Sequence, residues 1–482
     1  MRLCRPVRVR VAPVLFCAAL LFAVAVTRRT GAQSSSTGEA RTPISLAQAV
    51  DRALQHYPSV RVAVARIQQA HANVRLAKTQ YLPSSNMLWQ INRATFNNTS
   101  GQLLPQAVVS PISGPVTSRS GASAWGSAAG VLMSWQPFDF GLRHANVLQA
   151  RSGETIAEQA ANLTRLDIAQ ATATAFLTVV AEQEAVKAAE ANHSRWETFD
   201  KSIHVLTDNQ LRPGVDASQA DAEMAAALTQ LIQTQTNLKL ARAALAELLG
   251  VSETAFDVLP EAVLQLPPDP VGSPAPLDQH PRALQQKASV GLADDQLRSI
   301  RRSYAPDLYL EGAVSGRGSG IDPAGRFLGG PNGLGLDREN WAVGVNLTFD
   351  PMQYFMNRAQ REAATGNVAA QKALYDQTIT ELQRRMLQAE SQLEGARQIA
   401  RNTPLQLAAA RDSERQSVAQ YKAGLATVVQ VAEAESLLTA AEIADSQAKL
   451  EVWRSLVDVS AARGDLQPVM EILRNQPKPE SR

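Results

Sequence analysis

Residues 341–359 read WAVGVNLTFDPMQYFMNRA. Trp341, Val343, Val345, Leu347 and Phe349 alternate with Ala342, Gly344, Asn346 and Thr348. Strand side chains point to opposite faces with period two, so this stretch predicts a strand with one apolar side. Pro351 ends sheet pairing, and a long polar helical pattern follows it. The same junction stands 214 residues upstream without a gap: Gly130, Val131, Met133, Trp135, Pro137 and Ala145 match Gly344, Val345, Leu347, Phe349, Pro351 and Ala359. A strand that runs straight into a very long helix, twice, points to a sheet with one lipid-facing side joined to a helical body.

The totals agree with long helices. Aromatic residues are only 5% of 482, while Ala and Gln are frequent, which disfavours a bulky aromatic core. Residues 1–32 read as a signal peptide. Arg2, Arg5, Arg8 and Arg10 form a basic start, Val11 to Val26 an apolar core, and Thr30-Gly31-Ala32 a small-residue cleavage site. A retained anchor is the competing reading, and Cys17 raises lipidation, which the bulky Phe16 before it disfavours. Cleavage after Ala32 lowers the basic residues from 47 to 41 against 45 acidic ones, a net charge of −4. The basic balance therefore belongs to the leader, and nothing argues for nucleic acid. Both cysteines, Cys4 and Cys17, leave with it, so no disulfide framework or thiolate metal site is expected.

In chain order, Ile44 to Gln80 has helical periodicity interrupted at Pro58, and Tyr81-Leu82-Pro83 stops it. A strand around Trp89, Ile91 and Arg93 and a surface loop over Asn97 to Gly121 precede the strand Ala124 to Trp135. No proline occurs from Phe138 to Leu211, so one long helix is predicted there, followed by a return helix from Ala217 to Leu249. Residues 259–281 carry seven prolines and read as a linker. The pattern then restarts, with Pro58, Tyr81 and Pro83 matching Pro281, Tyr304 and Pro306 at an offset of 223. The expected organisation is a first repeat over 33–258, the linker, a second repeat over 282–463 and a flexible tail over 464–482. In the second repeat a long helix from Met352 to Tyr421 carries Pro404, which predicts a kink or break.

Each chain thus offers four strands of the length that crosses a tilted bilayer. Four strands cannot close a barrel, and an open edge in lipid leaves backbone groups unsatisfied. Several chains must then share one barrel; two would supply eight strands and three would supply twelve.

The chain resembles the TolC family of outer-membrane efflux and secretion channels. The resemblance is carried by SWQPFDFGLRHANVLQA and LTFDPMQYFMNRAQREAA at the junctions, by YLP and YAP at the helix ends, and by the ordered repeat. It implies an α+β membrane protein: a homotrimer with a twelve-stranded β-barrel and a helical tunnel across the periplasm. It also implies a periplasmic adaptor and an inner-membrane pump as partners. Val131, Met133, Trp135, Trp341, Val343, Val345, Leu347 and Phe349 would then face outer-membrane lipid.

The hairpin tips align by sequence at an offset of 210, with Leu211, Gly214 and Val215 opposite Tyr421, Gly424 and Leu425. Glycine accepts positive φ, and this suffices to explain Gly214 and Gly424 as turn residues. By resemblance, Pro213, Gly214, Val215, Ala423, Gly424 and Leu425 would also meet the adaptor. The family's acidic constriction falls at Gln430, a departure from a carboxylate, and at Glu433. A trimeric Glu433 ring would attract cations; a solvated helix-face carboxylate is the plainer reading. Asp216 and Asp221 are further candidates near the first tip.

The six histidines lack zinc-site spacing, and Gly316, Gly318 and Gly320 open no helix, so neither metal nor nucleotide is expected. No nucleophile and base pair stands out. The leading expectation is a passive conduit without catalysis or cofactor; the competing one is a structural coiled-coil protein of the cell surface.

Overall fold

The computed structural model describes residues 42–95, 123–252, 256–260, 263–268, 276–322 and 326–475. The chain divides into two units after Ala40, and everything described lies in the second. The expected signal peptide and the Asn97 to Gly121 loop lie outside the described residues.

The order of elements is β1 (Thr42–Ile44), α1 (Leu46–His56), α2 (Pro58–Thr79), β2 (Ser84–Thr95), β3 (Ser123–Phe138), α3 (Leu142–Asp208) and α4 (Gly214–Leu249). Then come β4 (Phe256–Val258), α5 (Pro281–Arg302), β5 (Asp307–Ser319), β6 (Arg338–Thr348), α6 (Gln353–Lys422), α7 (Val428–Arg463) and α8 (Gln467–Asn475). With 67 and 70 residues, α3 and α6 are each roughly 100 Å long. Pro404 does not break α6, which continues through it.

Helices this long bury their apolar stripes only against other helices. On one side α2 and α4 both pack on α3; on the other, α5 and α7 both pack on α6 and also on α3. The layer therefore runs α2/α4, α3, α5/α7, α6, with shorter helices stacked in pairs beside the long ones. At one such joint, the end of α7 meets the start of α5. Gly464 adopts φ +86°, and a Cβ there would sit 2.8 Å from Cδ of Pro281 and 3.2 Å from Cα of His280, so only glycine fits. The His280 ring nitrogen Nε2 lies 3.2 Å from the Ala461 carbonyl across the same joint.

The main core lies where these stacks meet. Phe176, Leu177, Val179 and Val180 of α3 pack with Leu245 and Leu249 of α4, Trp453 and Val457 of α7, and Leu393 and Ala396 of α6. Trp453 is fully buried, and its indole N–H donates to the Gln265 carbonyl at 2.8 Å. Two expectations change here. The described part of the Pro-rich segment docks on the core: the Leu259 amide donates to the Ile44 carbonyl at 3.1 Å, and Val263 is buried. The tail is helical over Gln467–Asn475, with Leu466, Val469 and Met470 in the core. Its apolar residues recur at helical spacing, a signal that the short length of the segment conceals.

Four strands form one antiparallel sheet in the order β2-β3-β5-β6. The join from β3 to α3 needs two consecutive left-handed residues, Phe140 (φ 51°) and Gly141 (φ 91°). Asp139 stabilises it by accepting from the Gly141 amide at 3.2 Å and from both the amide and the side chain of Arg143. Arg143 is buried, donates to the Gln80 carbonyl at 3.2 Å and lies over the Tyr81 ring, which ties the end of α2 to the junction. Burial pushes the Asp139 carboxyl upward, but the hydrogen bonds from Arg143 and Gly141 outweigh it and the net pKa is lowered.

A carboxylate with a depressed folded pKa stabilises the fold above its unfolded value of about 3.9, and this contribution is lost as pH falls through the folded value. Asp139→Ala, which leaves a buried Arg143 unpaired, should cost about 3 kcal/mol at neutral pH. Thermal unfolding followed by circular dichroism should show the gap to the parent protein narrowing as the pH falls below about 4.

Candidate functional site

Residues paired directly across antiparallel strands share a face. Met87, Val131, Val314 and Trp341 therefore make one row, and Trp135, Leu310 and Val345 another. Met133 with Val343 and Leu308 with Leu347 fall on the same face. Most of these side chains are exposed, Met87 by 83% and Trp341 by 79%, while Val131 is half-buried. Trp89 and Ile91 of β2 extend the face. Phe349 lies one residue beyond β6, in edge contact with Tyr304. The opposite face carries Asn86, Gln90, Tyr309, Glu311, Arg317, Asn340, Asn346 and Thr348. A sheet that is greasy on one side and polar on the other, with its greasy side uncovered by the chain's own helices, has the pattern of a wall between lipid and water.

At the opposite end of the long helices are the hairpin tips, and their correspondence differs from the sequence alignment. The left-handed residue of the first tip is Gln210 (φ 62°), not Gly214, which is already the first residue of α4. Gly424 (φ 80°) plays this part in the second tip. The Leu211 amide donates to the Leu206 carbonyl and the Leu425 amide to the Gln420 carbonyl, the same closing bond in both. Pro213 and Thr427 are the two N-caps. Equivalent positions are thus 214 apart, as at the strand junctions, and the offset of 210 is overturned; two glycines at similar distances misled the alignment. Pro213, Gly214, Val215, Ala423, Gly424 and Leu425 are all exposed. So is Leu211, at 70%, which the sequence pairs with Tyr421 but the structure places opposite Leu425.

The tips are held together within one chain. The guanidinium of Arg212 donates to the Tyr421 carbonyl at 2.6 Å and stacks on the Tyr421 ring, 4.4 Å from its centre. The Tyr421 hydroxyl donates to Asp216 at 3.3 Å. Burial first, and then the neighbouring Asp216 charge, raise the Tyr421 pKa, so the hydroxyl keeps its proton and remains a donor. Phe199, Trp196, Val428 and Val431 complete the cluster beneath it.

Of the two constriction candidates, Gln430 is committed to capping. Its side-chain oxygen accepts from the Thr427 amide at 2.9 Å, and its own amide donates to the Thr427 hydroxyl at 3.4 Å. Glu433 is exposed on the next turn of α7. A nearby carboxylate that sequence reasoning missed, Glu435, is buried and accepts from Arg195 Nε at 2.6 Å, joining α7 to α3. Burial raises its pKa against the opposing pull of Arg195.

A family model described as outer membrane efflux protein matches residues 49–251 and 275–465. The chain belongs to the outer membrane efflux protein family. Its fold is that of TolC-like channels. The outer-membrane channel OprN is 20% identical with a TM-score of 0.71, and the match covers 88% of this chain and 90% of OprN. CusC is 15% identical with a TM-score of 0.73, over 87% of this chain and 92% of its own. The Campylobacter jejuni CmeC outer membrane channel is 17% identical with a TM-score of 0.70, over 87% of this chain and 85% of its own. No curated protein sequence matches the chain.

Arg212→Ala removes a charged hydrogen bond and a ring contact that together should hold the tips by at least about 1 kcal/mol. Hydrogen exchange should report this as roughly fivefold or greater acceleration at the amides of 421–425, with those of 176–180 unchanged.

Proposed function

We propose that three copies of this chain form a passive outer-membrane exit duct that carries substrates from the periplasmic side to the exterior. The observation that carries this reading is the uncovered apolar face of a four-stranded sheet with two free edges. Among the described residues β2 pairs only with β3, and β6 only with β5. At about 3.3 Å per residue and a tilt near 40°, β6 with its 11 residues spans roughly 28 Å, close to the thickness of a bilayer core. Free edges in hydrocarbon leave backbone groups without partners, so the sheet must close on other copies. Two copies would make a barrel of about eight strands, which side chains fill; three would make about twelve and leave a passage lined by the polar face.

The helical layer supports the same closure. Leu76 of α2 and Leu228, Ile232 and Leu240 of α4 are exposed at one edge, and Leu387, Ile399 and Leu405 of α6 at the other. In a ring of three these edges meet, burying stripes that water would otherwise contact. The two halves of the chain then act as equivalent staves, preceded by a cleaved signal over 1–32.

The duct has no energy source of its own in this reading. A periplasmic adaptor would dock on the exposed tip residues Pro213, Gly214, Val215, Ala423, Gly424 and Leu425, linking the duct to an inner-membrane pump of an efflux or type I secretion system. Adaptor contact would favour separation of the tips against the Arg212–Tyr421–Asp216 contacts, a shift between two states. Glu433, exposed near the tips, would present three carboxylates around the axis and favour cations.

Light scattering of the detergent-purified protein should give the mass of three chains, and planar bilayers should show discrete, cation-preferring conductance steps. Arg212→Ala should increase the time spent open, and Glu433→Gln should weaken the cation preference. A monomeric mass, or inserted protein that stays silent even with Arg212→Ala, would overturn the duct. An unchanged cation preference in Glu433→Gln would overturn the carboxylate ring alone.

A further inference from the structure

Asp200 and His204 lie one turn apart on α3, and the fold brings Asp221 of α4 against them. One ligand atom from each lies within 4.8 Å of the other two. His204 Nε2 stands 3.1 Å from Asp221 Oδ1 and 3.7 Å from Asp200 Oδ1. Asp200 is more than nine-tenths buried, and its Oδ1 has no hydrogen-bond partner. A buried carboxylate oxygen left without a donor is costly, so this atom, which faces the imidazole nitrogen from just beyond hydrogen-bond distance, asks for a cation.

We propose that Asp200, His204 and Asp221 bind one divalent transition-metal ion of the zinc class, which clasps α3 to α4 just above the first tip. Tetrahedral zinc holds nitrogen and oxygen ligands at about 2.0–2.2 Å, which sets neighbouring ligand atoms about 3.4 Å apart. The two measured separations bracket that value, so small side-chain rotations complete the set. One imidazole and two carboxylates suit zinc and similar ions, and leave a further position for water. Asp208 adds a third negative charge near the imidazole. Asp221 is exposed and His204 partly so, which gives the ion an entry path, while Asp200 is buried below them.

The sequence hides this site because its ligands are a helical i, i+4 pair and a residue 17 positions further on, across a turn. The inference goes beyond the duct reading and does not depend on it, since both ligand-bearing helices belong to one hairpin of one chain.

The test is zinc titration of the purified, metal-stripped full chain against a chromophoric competitor, with cobalt as a spectroscopic substitute. The expected result is one zinc per chain with a micromolar or tighter dissociation constant. Asp200→Asn, His204→Ala and Asp221→Asn should each weaken it at least tenfold, and His204→Ala should abolish the cobalt visible bands. Glu433→Gln and His193→Ala should leave affinity unchanged, and circular dichroism should show all variants folded. No stoichiometric binding, or binding that survives all three ligand substitutions or follows Glu433, would overturn the proposal.

Discussion

A helix of about 70 residues has nowhere to hide its apolar stripe except along other helices of comparable reach. Neither α3 nor α6 can be enclosed by a globular core, so the fold lays them in one layer and fills the flanking columns with shorter pieces. The composition follows from this. Close helix packing needs small side chains at the seams, and Ala169, Ala173, Ala389, Ala396 and Ala400 supply them in the main core. Large side chains such as Phe176 and Trp453 concentrate where columns meet and strands β1 and β4 close over the joint.

The same constraint separates the apolar sheet face from the hairpin tips. With the sheet at one end and the tips at the other, a change at the tips alters neither strand register nor the apolar face. The tips rely on a few directional contacts around Tyr421, over a small aromatic cluster, rather than on a broad core. Such contacts exchange partners at low cost, whereas the deeper core with Trp453 resists rearrangement. Rigidity is therefore graded along the hairpins, and the trio of Asp200, His204 and Asp221 lies on the tip side of that gradient.

The large features were legible in the sequence because they rest on long-range periodicity. Alternation at Trp341 to Phe349, the proline-free run after Phe138 and the recurrence of both are patterns that local context does not overturn. What was hidden depended on geometry at single residues. A left-handed turn normally signals glycine, yet Gln210 holds that position, so the nearby Gly214 drew the alignment four residues out of place. Gln430 stands where an acidic ring residue was sought, but its hydrogen bonds to Thr427 give it a helix-capping task. Among the described residues of 259–281 no α-helix begins before Pro281, but the prolines say nothing about docking to a core. At Pro404, α6 continues through the proline, and the adjacent Thr403 hydroxyl donates to Asp445 of α7 at 3.0 Å.

The joint at Gly464 has a consequence for how such a chain can change over generations. One residue inserted within α3 or α6 turns everything beyond it by about 100°, which takes every seam on both sides out of register at once. The pieced columns behave differently, since a residue added between α4 and α5 leaves the register within each of those helices unchanged. The long helices are the ruler of this molecule and the joints are its slack. Its span is therefore set by the two elements least able to vary in length, and natural variation should gather at the seams between the pieces.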